Sequence, residues 1–268
     1  MKILPVNHNQ NNRNFKSCFR MYTPKSNVDF GYYGREIIKT STNMFREDLD
    51  WNALIKYIIT HFKDKNRVNT YSLAASDGSE AISYAITLLE NLPKNMLSKY
   101  FPVYASDIDK EIVNISKKGR INVFGVEFAM TERMYGIDLS KYLKDKSVSI
   151  VINGDEISES DTISSYMLID ELRDAIQYKR SDILTEIKNI KDDGNSVVMC
   201  RNVFPYLSSD YADKVIETAK QKLKSGSLFI IGDFDGKANI EQKLLANGFF
   251  QPLLNNKVIN GNNIFQRI

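Results

Sequence analysis

Four short apolar runs in this chain end abruptly in small or polar residues. Asn69 to Ala75 gives way to Ser76-Asp77-Gly78-Ser79, and Ala81, Ile82, Ala85, Ile86 and Leu89 then recur at helical spacing. Phe101 to Ala105 ends in Ser106-Asp107-Ile108-Asp109, before a helical stretch from Lys110 to Lys118 that Gly119 stops. Val197 to Cys200 ends in Arg201-Asn202, and Tyr211 to Leu223 follows with Ala212, Val215, Ile216, Ala219 and Leu223 on one face. Leu228 to Ile231 ends at Gly232-Asp233. Unbroken apolar runs suit strands buried on both faces. Strands that alternate with helices form a parallel sheet covered on both sides. The chain is therefore expected to be an α/β protein with a doubly wound, mostly parallel sheet.

The remaining segments fit around that frame. Asp48 to Phe62 carries Leu49, Ala53, Leu54, Tyr57, Ile58 and Phe62, the pattern of an amphipathic helix. Leu244, Leu245 and Phe249 close a last helix, and Val258 to Ile268 is expected to form a hairpin with Gly261-Asn262 in its turn. Residues 1–37 read as a polar, Asn-rich tail with no sustained period, and residues 38–268 as one domain. Residues 120–180 show no regular alternation and are taken as an insertion, either a small subdomain or a lid.

Composition narrows the class. The 268 residues are 43% hydrophobic and 26% charged, an ordinary balance for a globular chain. A net charge of +3 without a basic stripe argues against a nucleic-acid partner. No run of about 18 apolar residues occurs, so no membrane insertion is expected. The two cysteines, Cys18 and Cys200, lie far apart, which suits a reducing, cytoplasmic location. With only two histidines, His8 and His61, no metal site is expected.

The strand ends carry the chemistry. In an open α/β sheet, ligands sit at the carboxyl ends of the strands. At the first end, Ala74 to Glu80 turns through Gly78 with small side chains that leave the backbone bare, although the segment also suits a plain strand-to-helix turn. At the second, Asp107 can accept from the hydroxyls of a ribose or can cap the next helix; Asp109 suits the cap better. At the third, Arg201 and Asn202 leave the strand, and Tyr206 follows after one short turn. The fingerprint G-x-G-x-x-G is absent. A glycine turn, an acid and a polar pair in one crevice suit an adenosine-type ligand without a pyrophosphate, such as S-adenosylmethionine.

Motif by motif, the chain resembles the CheR family of protein-glutamate O-methyltransferases, which modify chemotaxis receptors. Thr40 to Glu47, T-S-T-N-M-F-R-E, is similar to that family's threonine-rich segment ending in Phe-Phe-Arg. Ala74 to Ile86, Ala105 to Val113, Glu171 to Leu184, Cys200 to Leu207 and Lys224 to Gly232 resemble its later motifs in order and spacing. The resemblance implies a Rossmann-like class I S-adenosylmethionine-dependent methyltransferase. It implies that Thr40, Thr42 and Arg46 serve the methionine end of S-adenosyl-L-methionine and that Glu80 matches an acid of the first motif. It further implies that Asp107 holds the ribose, Asp182 and Ile183 flank the adenine, and Arg201 and Asn202 line the floor. Tyr206 would face the transferring methyl group, with Arg46 beside it as the second catalytic residue. The implied partner is a protein substrate resembling a chemoreceptor.

The sequence departs from the family at several points. Ser79 replaces the first Glu of a Glu-Glu pair, Ala81 replaces a Pro, and Thr40 stands where Asn is usual. The tail is shorter than the family's N-terminal helical domain, and residues 120–180 show no clear form of its receptor-docking β-subdomain. Two other readings stay open: a methyltransferase acting on an amine of nucleic acid or a small molecule, and a non-catalytic S-adenosylmethionine-binding protein. For Arg46 the plain alternative is an ion pair with Glu47 or Asp50.

Overall fold

Helix and strand boundaries follow the local chemistry except where a side chain is used elsewhere in the fold. The computed structural model describes residues 29–30, 36–37, 42–151, 162–252 and 263–268. Two short strands, β1 (Asp29–Phe30) and β2 (Glu36–Ile37), pair antiparallel. Helix α1 (Trp51–His61) begins at Asp50, whose carboxylate accepts from the Ala53 amide at 2.9 Å. Apolar spacing predicts a start at Asp48, but Asp48 turns its carboxylate into the interior and cannot cap. The helix buries Trp51, Leu54, Ile55 and Ile58, positions that share one face.

Strand β3 (Asn69–Leu73), helix α2 (Ser79–Asn91), the short helix α3 (Lys94–Leu97), strand β4 (Val103–Asp107) and helix α4 (Lys110–Lys117) come next. Gly78 opens α2 at φ +90°, and a Cβ there would also collide with the Tyr178 hydroxyl, so both backbone and space demand glycine. Asp109 caps α4, accepting from the Glu111 and Ile112 amides.

Strand β5 (Arg120–Phe124), helix α5 (Gly125–Tyr135), strand β6 (Leu143–Val151) and strand β7 (Thr162–Leu168) form a separate antiparallel sheet in the order β5-β7-β6. The sequence shows no clear β-subdomain here, and the fold has one. Its strands escape the period-two test because β6 and β7 shift register between Lys144 and Ser147 and again before Ser149. Helix α6 (Asp170–Asp174) leads to strand β8 (Ile176–Arg180), which pairs parallel with β4 and belongs to the main sheet. The antiparallel subdomain thus spans residues 120–168, shorter than the expected insertion.

Helix α7 (Ile183–Asn189), strand β9 (Ser196–Met199), helix α8 (Ser209–Lys222), strand β10 (Leu228–Ile230), helix α9 (Ile240–Ala246), strand β11 (Phe249–Phe250) and strand β12 (Ile264–Arg267) complete the chain. The main sheet has seven strands in the order β11-β12-β10-β9-β3-β4-β8, parallel except for β12, which runs antiparallel to both neighbours. The expected terminal hairpin is therefore replaced by pairing of β12 with β10 and β11, and Gly261-Asn262 lies outside the described residues.

Two apolar clusters cover the faces of the sheet. One gathers Trp51, Leu54, Ile82, Tyr84 and Ile86 with the subdomain's Ile121, Val123 and Leu143. The other gathers Ile187, Phe204, Val215, Ile216, Phe229 and Phe265. Each large side chain buried here stabilises the fold by roughly 1.5–3 kcal/mol relative to exposure. Among the described residues no helix is long and apolar enough to cross a membrane.

From β3 the chain builds outward through β4 to β8 on one side, and through β9 and β10 on the other. The strand order therefore reverses between β3 and β9, and a crevice opens at their carboxyl ends. The ends of β3, β4 and β9 reach that crevice through Ala74 to Ser76, Asp107, and Arg201 with Asn202.

Candidate functional site

The crevice is a cavity of about 520 Å3, within the usual range for small-molecule sites. It runs across the strand ends from Ser181 and Asp182, after β8, to Arg201 and Asn202, after β9. Thr42, Asn43 and Arg46 close it from the segment before α1, Trp51 from the start of α1, and Val203, Tyr206, Leu207, Ser208 and Tyr211 from the chain after β9.

The β3–α2 turn forms one wall. Ala74 and Ser76 adopt left-handed backbone conformations, at φ +53° and +52°. Such conformations cost non-glycine residues about 1–3 kcal/mol each and persist only where the surroundings enforce them. Asp107 supplies that constraint: one oxygen accepts from the Ser76 amide at 2.8 Å and the other from the Asp109 amide at 2.9 Å. Burial raises the carboxyl pKa of Asp107, and the two amides oppose the shift. Asp109 is the helix cap, which leaves Asp107 on the cavity wall.

A buried ion cluster forms the floor. The Arg201 side chain is only 2% exposed; it donates to Asp48 and, at 3.2 Å, to Glu80. Its guanidinium lies 5.2 Å from the centre of the Trp51 ring. Glu80 also accepts from the Ser72 hydroxyl at 2.6 Å. The second oxygen of Asp48 accepts from the Asn202 side chain at 2.9 Å and from the Asp233 amide at 3.3 Å. Burial opposes the charge on Asp48, but Arg201, Arg46 and these two donors together hold its carboxyl below the ordinary range. Burial raises Glu80 despite Arg201. Two carboxylates thus share one guanidinium, with Arg46 near enough to act on Asp48 as well.

Asn202 is bound inward. It adopts φ +57°, and its side-chain oxygen accepts from the Phe234 amide at 3.1 Å. Its own amide donates to Asp235, which also accepts from Phe204 and Gly232. Burial lifts the Asp235 carboxyl to about 6 against those three hydrogen bonds. A Cβ at Gly232 would strike the Asn202 side chain, so that glycine makes room for the loop.

The opposite end is lined by Asp182 and Ile183. Asp182 caps α7 through the Thr185 amide, and its other oxygen accepts from the Tyr211 hydroxyl. Ile108, 49% exposed, and Tyr206, 42% exposed, stand at the rim. Arg46 lines the cavity with its guanidinium 5.4 Å from the Phe234 ring centre. Asp50 caps α1 through one oxygen, and Arg46 stands on the cavity wall.

Nearly all the residues singled out in the sequence thus meet around one cavity: Thr42, Arg46, Glu80, Asp107, Asp182, Ile183, Arg201, Asn202 and Tyr206. Thr40 lies outside the described residues. Asp48, Trp51, Asp235 and Tyr211 escaped sequence reasoning. Asp48 reads as a helix start, and the other three follow only from the packing.

A reversed parallel sheet with one antiparallel strand beside its edge, an acid after the second strand and no pyrophosphate loop define the class I S-adenosylmethionine-binding fold. Over residues 40–136 and 138–244 the chain matches the family described as CheR methyltransferase, SAM binding domain, and it belongs to that family. S-adenosylmethionine is the cofactor of that domain. A chemotaxis protein methyltransferase 2 of Vibrio cholerae serotype O1 is 23% identical over 202 residues, covering 74% of this chain and 63% of the relative. A chemotaxis protein methyltransferase of Listeria innocua is 23% identical over 210 residues, covering 77% of this chain and 70% of the relative. A crystal structure of magnesium protoporphyrin IX methyltransferase from Synechocystis with bound SAH overlaps at a TM-score of 0.40 and 11% identity, covering 86% of this chain and 90% of that one.

The residues present fit such a cofactor. The small side chains of Ala74, Ala75 and Ser76 leave backbone open beside Asp107, acids stand at both ends, and the Nε of Arg201 is buried without a hydrogen-bond partner.

Proposed function

We propose that this protein transfers a methyl group from S-adenosylmethionine to carboxylate side chains of a protein, as a protein-glutamate O-methyltransferase of the cytoplasm. One observation carries the choice of acceptor. Among the described residues no His, Cys or Lys lines the cavity, and Glu80, Asp107 and Asp182 are each already held in hydrogen bonds. A general base of that kind is what an amine acceptor would need from the site. A carboxylate acceptor is ionised at neutral pH and needs none.

When bound, the cofactor supplies an electrophilic methyl group on a sulfonium. The residues that would hold it are Asp107 for the ribose hydroxyls, Asp182 and Ile183 for the adenine, and Thr42, Arg46 and Glu80 for the methionine end. The floor of Asp48, Glu80 and Arg201 would lie beneath that end. Arg46 can orient a carboxylate through paired N–H groups. Tyr206 at the rim covers the place where the acceptor enters and helps to exclude water. The remaining work is alignment.

The partner on this reading resembles a chemoreceptor. Its support is the family and the antiparallel subdomain, which stands where CheR proteins carry a receptor-docking one. No basic stripe favours nucleic acid.

Two results test the proposal. Asp107→Ala is expected to weaken S-adenosylhomocysteine binding by about 1.5–3 kcal/mol, the range for hydrogen bonds to a charged group, as measured by calorimetry. An unchanged affinity would remove Asp107 from the site. Label transferred from radioactive S-adenosylmethionine to a receptor protein should be released as volatile methanol in alkali, since methyl esters are base-labile. Label that survives alkali would point to an amine acceptor. Tight cofactor binding with no transfer to any carboxylate-bearing protein would point to a binding protein.

A further inference from the structure

Helix α5 belongs to the antiparallel subdomain, yet its two ends reach the segment that closes the cofactor cavity. From its first turn, one Glu127 oxygen accepts from the Met44 amide at 2.9 Å, and the other accepts from the Phe124 amide at 3.2 Å. From its last residue, the Tyr135 hydroxyl donates to the Leu49 carbonyl at 3.1 Å. The Tyr135 ring also packs against Phe45, with centroids 5.4 Å apart. The bonded groups, Met44 and Leu49, bracket Arg46 in the chain.

The bracketed segment is strained. Phe45 adopts φ +47°, a region costly for a bulky side chain. On its inner side the Phe45 amide donates to the Ser83 hydroxyl of α2 at 2.8 Å. The Phe45 amide and Asp48 tie the segment on its inner side, and the bonds from α5 hold its other side. Glu127 is costly to bury: burial, with Asp77 nearby, pushes its carboxyl up to about 8. An apolar residue in its place would leave the buried Met44 and Phe124 amides without this acceptor.

We infer that Glu127, assisted by Tyr135, is a positioning residue that holds the Thr42–Arg46 wall of the cavity against the cofactor's methionine end. This rests on the cofactor reading above and adds to it the coupling of the subdomain to the pocket. The cavity's topology makes the claim specific. Asp107 and Asp182 lie on the β4 and β8 side, whereas Arg46 neighbours Phe234 and Asp48 beyond β9. Loss of the clamp should therefore be felt at one end of the ligand only.

The test uses the full chain and two probes, S-adenosylhomocysteine and 5′-methylthioadenosine, which lacks the amino-acid end. Glu127→Ala should weaken the first about tenfold or more and the second less than about twofold. Glu127→Gln keeps one acceptor at the same reach but turns a side-chain N–H2 toward the other backbone amide, so it should recover only part of the affinity lost for the first probe. Hydrogen exchange in residues 42–48 should quicken in the alanine variant while β3 and β4 stay protected. Equal losses for both probes, no loss for either, or unchanged exchange in residues 42–48 would overturn the inference. Should the alanine chain not fold, Glu127→Asp keeps the carboxyl, shortens the reach and is read by the same measurements. A wild-type protein that bound neither probe would defeat the cofactor reading, and the exchange measurement, which needs no ligand, would still judge the clamp.

Discussion

Asp48→Ala is expected to lower the unfolding free energy by about 3–5 kcal/mol, the usual cost of removing one partner from a buried ion pair. Asp48 serves Arg201, the Asn202 side chain and the Asp233 amide at once, and Arg201 and Asn202 are buried. Its removal leaves Arg201 facing Glu80 alone and leaves the buried Asn202 side-chain amide without this acceptor. Against a typical total of about 5–15 kcal/mol, such a loss brings the fold near its limit. Thermal and urea unfolding of the purified variant measure it; a change below about 1 kcal/mol would mean that the cluster is not a stabilising unit. The pH dependence has a definite sign. The folded carboxyl of Asp48 lies below the ordinary aspartate range, so its contribution is complete above the unfolded carboxylate range and disappears as pH falls through the folded value. The gap between wild type and variant should therefore be full at pH 7 and shrink below about pH 4.

Arg46→Ala should reduce turnover by about 100-fold or more, the scale for losing one preorganised charged donor. Arg46 lines the cavity, but the fold relies on it less than on Arg201, which carries the floor's hydrogen bonds. A group that acts chiefly in the transition state should cost turnover more than cofactor affinity. Steady-state methyl transfer and calorimetry on the same preparation separate the two. Equal losses in both would make Arg46 a binding residue, and loss in neither would return it to the role of a surface ion pair. Lysine at this position should recover only part of the rate, because an ammonium cannot present two parallel N–H groups to a carboxylate.

The α/β class and most of the strand-end residues were legible without coordinates, because both are local signals. An apolar run that stops at Arg201, or at Ser106-Asp107, records a strand leaving the core for a polar crevice, and the helical spacing from Tyr211 to Leu223 records one buried face. In a parallel sheet the carboxyl ends lie side by side, so naming those residues already named the site. The antiparallel subdomain was not legible, because irregular register between β6 and β7 breaks the alternation by which strands are recognised. Nor could periodicity tell which polar residues face a ligand and which face inward. Asn202 sits at a strand end as expected, yet its side chain bonds to Asp48, 154 residues away in the chain. Glu127 reads as one acid in an unremarkable helix, yet it anchors Met44 across 83 residues. The sequence by itself determined the layers and the place of the crevice, since helical and strand periods depend on neighbours a few residues apart. The tertiary structure alone decided the partners of the buried charges, since strand order and packing bring those groups together and the cost of burying a charge forces each one to find a partner there.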